Sequence, residues 1–474
     1  MQNKKIYMLV LSAIPLFFCA CSFFTGETAS LVLDMDTAFV SRTREAATSA
    51  NYTDVEGRGL YISVSLSGDY EDLLTQKVQA GYDLAFEKVP VGSQVSATAK
   101  IYYLKDGKEY DFCKGSSGEI KVSRGKNTLN LVLSQVQDSQ MTFIYVKENA
   151  AAGGTGALTS PLPSISNALG LVVDSSKDYT IVVSGTIWEG VEISNIQAKS
   201  LSITGLNSGA SDVIDGGFSE SSEGTVIRVL TQVPVTFENI RITGGYKSSD
   251  PNGDFGGGLF LGEGAEVTLD SACTITGNFA FQGGGVYVNA DCTLIIKDGA
   301  FIRGNKSSSS GGGICTYSNS DTSFSTIKMY GGSVSDNLCN LDSSMGYCGG
   351  ISLQGKLFMY GGQISGNRAI QGGGGITSNG RDDFYSVIEL YDGLISGNRT
   401  QGSGGGISLS DNVTFKMYGG SITGNEAGNY GGAIFLDKNV DADIYGGSIE
   451  NNSDSTGSQI YINDEYSCEL VNKL

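Results

Sequence analysis

A ten-residue phrase recurs along the second half of the sequence. It reads KMYGGSVSDN from residue 328, FMYGGQISGN from 358, ELYDGLISGN from 389, KMYGGSITGN from 416 and DIYGGSIENN from 443. One short unit cannot bury its own apolar face, so a chain that repeats it is expected to stack the copies. Many of the 67 glycines fall at fixed places in this repeat, which favours tight turns over disorder.

Two anchor motifs mark each copy of the repeat. One is a run of glycines followed by an apolar residue, such as GGAI at 431–434. The other is apolar-x-x-Asn, whose asparagines are separated by 27, 32, 30, 31, 27 and 27 residues, which indicates a unit of 27 with insertions. We expect the amides to stack between units as a hydrogen-bonded ladder. This asparagine ladder comprises Asn278, Asn305, Asn337, Asn367, Asn398, Asn425 and Asn452.

Each unit contains three short segments that alternate apolar and polar residues, for example GGISLSDN, TFKMY and SITGN. Successive turns spaced ~4.8 Å apart would pair every backbone group with the turn above and below. A helical solenoid is disfavoured, because each glycine costs a helix about 1 kcal/mol. The repeat therefore predicts a right-handed parallel β-helix, and the length available corresponds to about eleven turns.

Residues 29–137 have a different pattern, with alternating runs such as LYISVSL and VSATAKIYYL between turn residues. This pattern predicts an antiparallel β-sandwich. It resembles the Ig-like or transthyretin-like domains that serve as spacers in bacterial surface proteins. The predicted fold is thus all-β, with this sandwich followed by the β-helix over 138–474. Within the latter, about 138–175 resembles the N-terminal cap of pectate-lyase-like β-helices, and regular 27-residue repeats run from about 256 to 462.

The first twenty residues have the features of an export signal. Lys4 and Lys5 precede the apolar run IYMLVLSAIPLFF, which is too short to span a bilayer as a helix. The following CACS resembles a bacterial lipoprotein signal of the looser spirochaete type, in which Cys21 carries the lipid. That resemblance implies a signal peptide over 1–20, a lipid-anchored tether over 21–28, and membrane attachment through the lipid. A plain secretory signal is the alternative.

Composition excludes several function classes. The formal net charge of −19 would repel nucleic acid, so we expect no such partner. The sequence has no histidine, which removes Ser-His-Asp catalysis and His-ligated metal sites. We expect no cofactor, no metal site and no catalytic residues. Cys339 and Cys348 either close a disulfide around the segment between them or are buried thiols.

Five tyrosines each lie seven positions before a ladder asparagine: Tyr330, Tyr360, Tyr391, Tyr418 and Tyr445. Alternation with the inward residue just before them points their rings outward, so rings on adjacent turns would stack. An exposed aromatic strip could bind sugar rings or a partner protein. The alternative is a self-stacked ladder that only stabilises the corner of the coil.

Two further patterns have a functional and a structural interpretation. Arg368 and Arg399 follow ladder asparagines, with Lys306 and Glu426 at the same register. Lysine or arginine acts as the base in β-helix polysaccharide lyases, but this column favours a surface ion-pair ladder. In the loop that starts at Asp250, the residues Asp250, Asn252 and Asp254 offer oxygens to calcium, and an ordinary Asx-rich turn explains them equally well.

The repeats resemble the GGA[I/L/V] and FxxN motifs of chlamydial polymorphic outer-membrane proteins, with GGAI at 431–434 and ITGN or ISGN in place of FxxN. The resemblance implies a surface-displayed, non-catalytic adhesin that binds host protein or glycan. The expected location is the bacterial envelope, on the outer membrane and exposed at the cell surface.

Two other functions remain open from the sequence. One is a polysaccharide lyase or hydrolase on the same fold, with Asp250, Asp254, Arg381, Asp382 and Asp383 as the residues to test. The other is a structural scaffold that faces the periplasm.

Overall fold

The computed structural model describes residues 28–33, 61–77, 84–105, 108–129, 132–135, 141–158, 160–207, 209–249, 255–262, 264–318, 323–339, 346–380, 385–463 and 468–472. These residues fall into two compact units, one up to residue 138 and the other from residue 139.

The first unit consists of short strands that form two sheets. The strands are β1 Thr28–Leu33, β2 Tyr61–Gly68, β3 Asp72–Lys77, β4 Leu84–Pro90, β5 Gln94–Lys105, β6 Lys108–Ser116, β7 Ile120–Lys121, β8 Lys126–Leu129 and β9 Val132–Gln135. One sheet has the order β4-β1-β8, and the other has the order β3-β2-β5-β6-β9 with β7 beside β5. All pairs are antiparallel except β1 with β8, which run parallel.

Alternating burial along these strands explains why they form sheets. In β2 the side chains of Ile62, Val64 and Leu66 are buried, while the residues between them are partly exposed. One face of such a strand packs inward and the other meets solvent. The predicted antiparallel sheet region at the N-terminus is confirmed, with one parallel pair that the sequence pattern did not predict.

The second unit is a right-handed parallel β-solenoid of about 9 turns, as predicted from the repeat. Its strands form four parallel sheets, which we call sheets I to IV in the order in which the chain visits them within a turn. Sheet I contains Met141–Lys147, Asp178–Ser184, Ser200–Gly205, Val235–Glu238, Glu266–Leu269, Thr293–Ile296, Thr326–Met329, Lys356–Met359, Ser386–Leu390, Val413–Met417, Val440–Ile444 and Cys468–Asn472.

The other three sheets have shorter strands. Sheet II contains Thr186–Trp188, Val213–Asp215, Arg241–Thr243, Thr274–Thr276, Phe301–Arg303, Ser333–Ser335, Gln363–Ser365, Leu394–Ser396, Ser421–Thr423 and Ser448–Glu450. Sheet III contains Tyr246–Lys247, Phe279–Gln282, Lys306–Ser310, Leu338–Cys339, Arg368–Ala369, Arg399–Thr400 and Glu426–Ala427. Sheet IV contains Val191–Ser194, Ile227–Leu230, Leu259–Leu261, Val286–Val288, Ile314–Thr316, Ile351–Leu353, Ile376–Asn379, Ile407–Ser410, Ile434–Leu436 and Ile460–Ile462.

A single apolar cluster fills the inside of the solenoid from the first turn to the last. A short helix, α1 Ile165–Leu169, adds Ile165 and Leu169 to this cluster at the first turns. Ser164 caps the helix, and the Glu189 carboxylate accepts hydrogen bonds from the backbone N–H groups of Ile165 and Ser166. These bonds satisfy donors that a helix start leaves unpaired.

The triple-glycine motif forms the corner between sheets III and IV. In one copy Gly404 takes a φ of +77°, which a residue with a Cβ adopts only with strain. A Cβ on the next residue, Gly405, would lie 2.6 Å from the carbonyl carbon of Glu426 on the following turn. The glycines are therefore required by a left-handed turn and by close backbone approach.

The solenoid has about 9 turns, against about eleven expected from its length, and its longest sheet, sheet I, stacks twelve strands. Dividing length by repeat assumes that every residue belongs to a regular turn. Instead, the chain between Lys147 and Asp178 makes one crossover that includes α1, and the regular turns differ in length, as the asparagine intervals of 27 to 32 residues show.

Candidate functional site

The five tyrosines that follow the strands of sheet I form one continuous row, which we call the tyrosine column. Each backbone N–H continues the sheet ladder, as when Tyr391 donates to the carbonyl of Met359 at 2.8 Å and Tyr418 to that of Leu390 at 2.8 Å. Because each tyrosine sits at the same register, the five rings lie on successive turns on one side of the solenoid. The repeat spacing of the sequence thus becomes a spatial row.

Neighbouring rings of the tyrosine column stack on each other. The ring centroids are 5.0, 4.9, 4.9 and 5.2 Å apart from Tyr330 to Tyr445, and the planes differ by 7 to 16°. This spacing is close to the ~4.8 Å between turns of a β-solenoid, so the rings stack without leaving the ladder geometry.

All five tyrosines are exposed even though they stack. Tyr330, at the first turn of the column, is 54% exposed, and the other four are 39 to 41% exposed. Stacking covers the ring faces between Tyr330 and Tyr445, so the exposed part of each inner ring is its edge. The column therefore presents a regular row of aromatic edges.

Two of the hydroxyls bond to carboxylates on the same strand. Tyr391 donates to Glu389 at 2.6 Å, and Tyr445 donates to Asp443 at 2.9 Å. The hydrogen bond to Glu389 is the main cause that raises the pKa of Tyr391 to about 12, and the bond to Asp443 likewise raises the pKa of Tyr445. Both rings thus lean across the sheet toward the carboxylates two residues earlier.

Those carboxylates belong to a second row on sheet I, which we call the charged column. Its members are partly exposed and paired in register from turn to turn. They are Ile295, Lys328, Phe358, Glu389, Lys416, Asp443 and Val471. The sequence interpretation missed this row, although the sequence shows one of its members two positions before each tyrosine of the column.

The asparagines predicted to stack are brought together inside the solenoid, where all seven are buried. The Nδ2 of each donates to the Oδ1 of the next at 2.8 to 3.1 Å, and each backbone N–H donates to the same oxygen at 2.9 to 3.2 Å. Gln459 accepts from the last one, Asn452, at 2.9 Å. The amides of the ladder therefore bond to one another and to the backbone inside the solenoid.

The basic residues after the ladder lie on the outer face of sheet III. Arg399 pairs with Glu426 across one turn, with 2.7 Å between Nη2 and Oε1. Both side chains are about half exposed, so solvent screens this pair. Lys306 and Arg368 are exposed further along the same sheet. The column contains an ion pair, and its members do not converge on a pocket.

Five cysteines of the solenoid are buried: Cys273, Cys292, Cys315, Cys339 and Cys348. The structure has no disulfide between Cys339 and Cys348. Burial raises the pKa of both the Cys315 and the Cys348 thiols to about 12, which leaves them protonated and unreactive at neutral pH. Of the two interpretations of this pair, the structure has the buried thiols.

Several predicted residues lie outside the described part of the chain. They are Cys21, Asp250, Asn252, Asp254, Arg381, Asp382 and Asp383. Among the residues that the structure does describe, no three or more Cys, Asp or Glu side chains are grouped to hold a metal ion. In the same part of the chain, no helix has the length and apolar character needed to cross a membrane.

An aromatic cluster on the outside of sheet IV was also missed. Phe260 and Tyr287 stack with centroids 5.9 Å apart, and both are buried in a cluster with Cys315 against which Leu230, Phe255 and Tyr317 pack. The signal was present in the all-apolar strand LFL at 259–261, which indicates burial on both faces. This cluster is covered, whereas ten aromatic side chains that the structure describes in the solenoid are exposed. Five of them form the tyrosine column, and the other five are Trp188, Phe301, Tyr347, Tyr385 and Tyr430.

Comparison with solved structures found a similarity to one enzyme. The crystal structure of the pectin methylesterase from Aspergillus niger in deglycosylated form aligns with 71% of this chain and 88% of its own, at 12% identity and a TM-score of 0.25. At that identity and TM-score, the similarity carries no activity over to this chain. No protein-family model and no curated protein matches the sequence.

Proposed function

We propose that the protein is a membrane-anchored, surface-exposed β-helix that binds host or envelope components without catalysing a reaction. The observation that supports this proposal is the tyrosine column, five exposed aromatic rings in register on one face of a rigid coil. Tyrosine is enriched in binding surfaces because it offers a large apolar ring, a hydroxyl and little conformational entropy to lose.

The stacking favours a protein partner over a stacked sugar. A sugar ring binds an aromatic side chain by lying on its face, and the faces within the column are covered by neighbouring rings. Tyr330, at the first turn of the column, is the most exposed of the five rings, and Tyr445 is no more exposed than the inner ones. The edges and hydroxyls along the column suit hydrogen bonds and apolar contacts from a protein surface, and polar contacts from a glycan.

The proposed anchor is the lipid on Cys21, followed by the tether and the N-terminal sheets as a spacer. A single acyl chain holds a protein to a bilayer only marginally, so stable attachment would need more than one chain on the same cysteine. In this arrangement the solenoid is the part of the protein that meets a partner.

Binding assays with host cells, matrix proteins and glycan arrays test the proposal. We expect the wild-type chain to be retained, and a variant with Tyr360, Tyr391 and Tyr418 changed to Ser to lose most of that binding. A variant with Phe301 and Tyr385 changed to Ser is the matched control, since both are exposed aromatic residues outside the column. The proposal would be rejected if the wild-type chain bound none of these targets, or if the column variant bound them as well as the wild type.

Two assays separate the alternatives. Protease treatment of intact cells should cleave a surface-exposed protein and leave a periplasm-facing scaffold untouched. Incubation with acidic polysaccharides should yield no new sugar ends, whereas a lyase or hydrolase would release them.

A further inference from the structure

When the order of the charged column of sheet I is reversed, the residues away from its centre fall opposite residues of complementary chemistry. From the first turn to the last it runs Ile295, Lys328, Phe358, Glu389, Lys416, Asp443, Val471. Reversal about Glu389 places Ile295 opposite Val471, Lys328 opposite Asp443 and Phe358 opposite Lys416. The three pairs are apolar with apolar, cation with anion, and aromatic ring with cation.

We infer that two copies of this chain pair face to face through sheet I, as an antiparallel dimer whose two-fold axis passes through the turn of Glu389 and Tyr391. An axis in the plane of the interface and parallel to the strands reverses the order of turns but keeps each column opposite itself. The charged column then faces its own reverse, and each off-axis pair occurs twice, as an isologous interface requires.

The pairs across the axis are chemically favourable. Lys328 meets Asp443 as an ion pair, and Lys416 meets the face or edge of Phe358 as a cation–π contact. The neighbouring outward-facing column of sheet I lies two positions earlier on each strand and also tolerates this pairing. In it, Val387 lies on the axis and meets its own copy, and Thr326 meets Asp441. Only Glu389 opposes a like charge, and its carboxylate already accepts a hydrogen bond from Tyr391.

A second copy fits this face better than an unrelated protein because of the spacing. Two solenoids share the same repeat of ~4.8 Å per turn, so a match at one turn is carried to the next. The contacting turns would extend about 29 Å along the solenoid and about 16 Å along the strands. A patch of this size lies at the low end of specific interfaces, so the dimer should form at high protein concentration and weaken as salt screens its charges.

The dimer is independent of the proposed binding function. It requires no ligand, and it places a second copy over the tyrosine column that a ligand would use. The two states therefore compete, and a dimer without ligand binding, or ligand binding without a dimer, would separate the two proposals.

Sedimentation velocity on the full-length chain in density-matched detergent tests the pairing. We expect a concentration-dependent dimer in the wild type and at least about tenfold weaker dimerisation in Lys328→Glu or in Asp443→Lys, since either change creates two like-charge contacts. The double variant Lys328→Glu/Asp443→Lys exchanges the charges and should return to near wild-type dimerisation. Lys306→Glu, which makes the same charge change on sheet III, should have no effect.

Cysteine cross-linking tests the direction of pairing. Thr326→Cys and Asp441→Cys should each give little cross-linked dimer alone, and a mixture of the two should give a mixed disulfide. Val387→Cys, on the axis, should cross-link to itself, with the wild-type chain as the background. A wild-type monomer at every concentration, a double charge variant no better than the single ones, a Lys306→Glu variant as weak as Lys328→Glu, or no mixed disulfide would each overturn the inference.

Discussion

Replacing Asn398 with alanine is expected to destabilise the solenoid strongly, because this side chain is fully buried and makes four hydrogen bonds. Its Oδ1 accepts from the backbone N–H of Asn367 at 3.0 Å and from the Asn367 Nδ2 at 2.9 Å. Its Nδ2 donates to the carbonyl of Ile364 at 2.8 Å and to the Oδ1 of Asn425 at 2.9 Å. Alanine keeps the backbone and removes all four.

The magnitude follows from what the loss leaves behind. A typical hydrogen bond contributes about 1 kcal/mol net, so four of them give about 4 kcal/mol. The backbone N–H of Asn367 would be left buried with no acceptor from the ladder, and such a group costs about 1 to 3 kcal/mol by itself. The expected loss in free energy of unfolding is therefore about 4 kcal/mol, within a range of about 2 to 6 kcal/mol.

Denaturant unfolding followed by circular dichroism measures this loss. The matched control is Gln363→Ala, which removes an exposed amide from the outer face of sheet II one turn away and should change the free energy of unfolding by less than about 0.5 kcal/mol. Because solenoids can unfold repeat by repeat, the midpoint and the slope should be compared for both variants. A loss below about 1 kcal/mol for Asn398→Ala would refute the reasoning that the ladder holds the turns together.

Three other outcomes are expected. The hydrogen bond to Glu389 raises the pKa of Tyr391 to about 12, so the stabilisation from this bond is present below the ordinary pKa of 10.0 and is lost as pH rises through about 12. In an ultraviolet titration, Glu389→Gln should lower the pKa of one tyrosine relative to the wild type. An unchanged titration curve would contradict the contact. Gly405→Ala should cost about 3 kcal/mol in chemical unfolding, because its Cβ would lie 2.6 Å from the carbonyl carbon of Glu426, and a neutral effect would show that the corner is looser than described. Burial raises the pKa of the Cys348 thiol to about 12, so thiol reagents should label it slowly in the native protein and fast in denaturant, whereas a disulfide would block labelling even in denaturant without reductant.

The repeat pattern predicted much of the fold because its periods map directly onto the turn of a solenoid. The apolar-x-x-Asn anchor fixed one residue per turn, and Asn398 bonds to Asn367 and Asn425 at the same position in adjacent turns. The same spacing placed Tyr391 and Tyr418 in one column. The pattern could not supply the number of turns, because the segment that contains α1 crosses the solenoid without a repeat of its own.

The functional surface was less accessible from the sequence. Alternation showed that the tyrosines point outward, but not that stacking covers their faces and that Tyr391 leans onto Glu389. That contact depends on side-chain rotation, which spacing does not encode. The residues of the charged column, such as Lys328 and Phe358, differ in type on every turn, so no repeat drew attention to them; only the register of sheet I places them in a row.

Distances between spin labels along one column of sheet II test the parallel β-solenoid most directly. Labels introduced through an unnatural amino acid at positions 301 and 448 are five turns apart, and labels at positions 241 and 448 are seven turns apart. The solenoid predicts about 24 Å for the first pair and about 34 Å for the second, a constant step of ~4.8 Å per turn. Distances that do not increase with the number of turns would contradict the parallel β-solenoid. They would also contradict the tyrosine column, because its register depends on the solenoid.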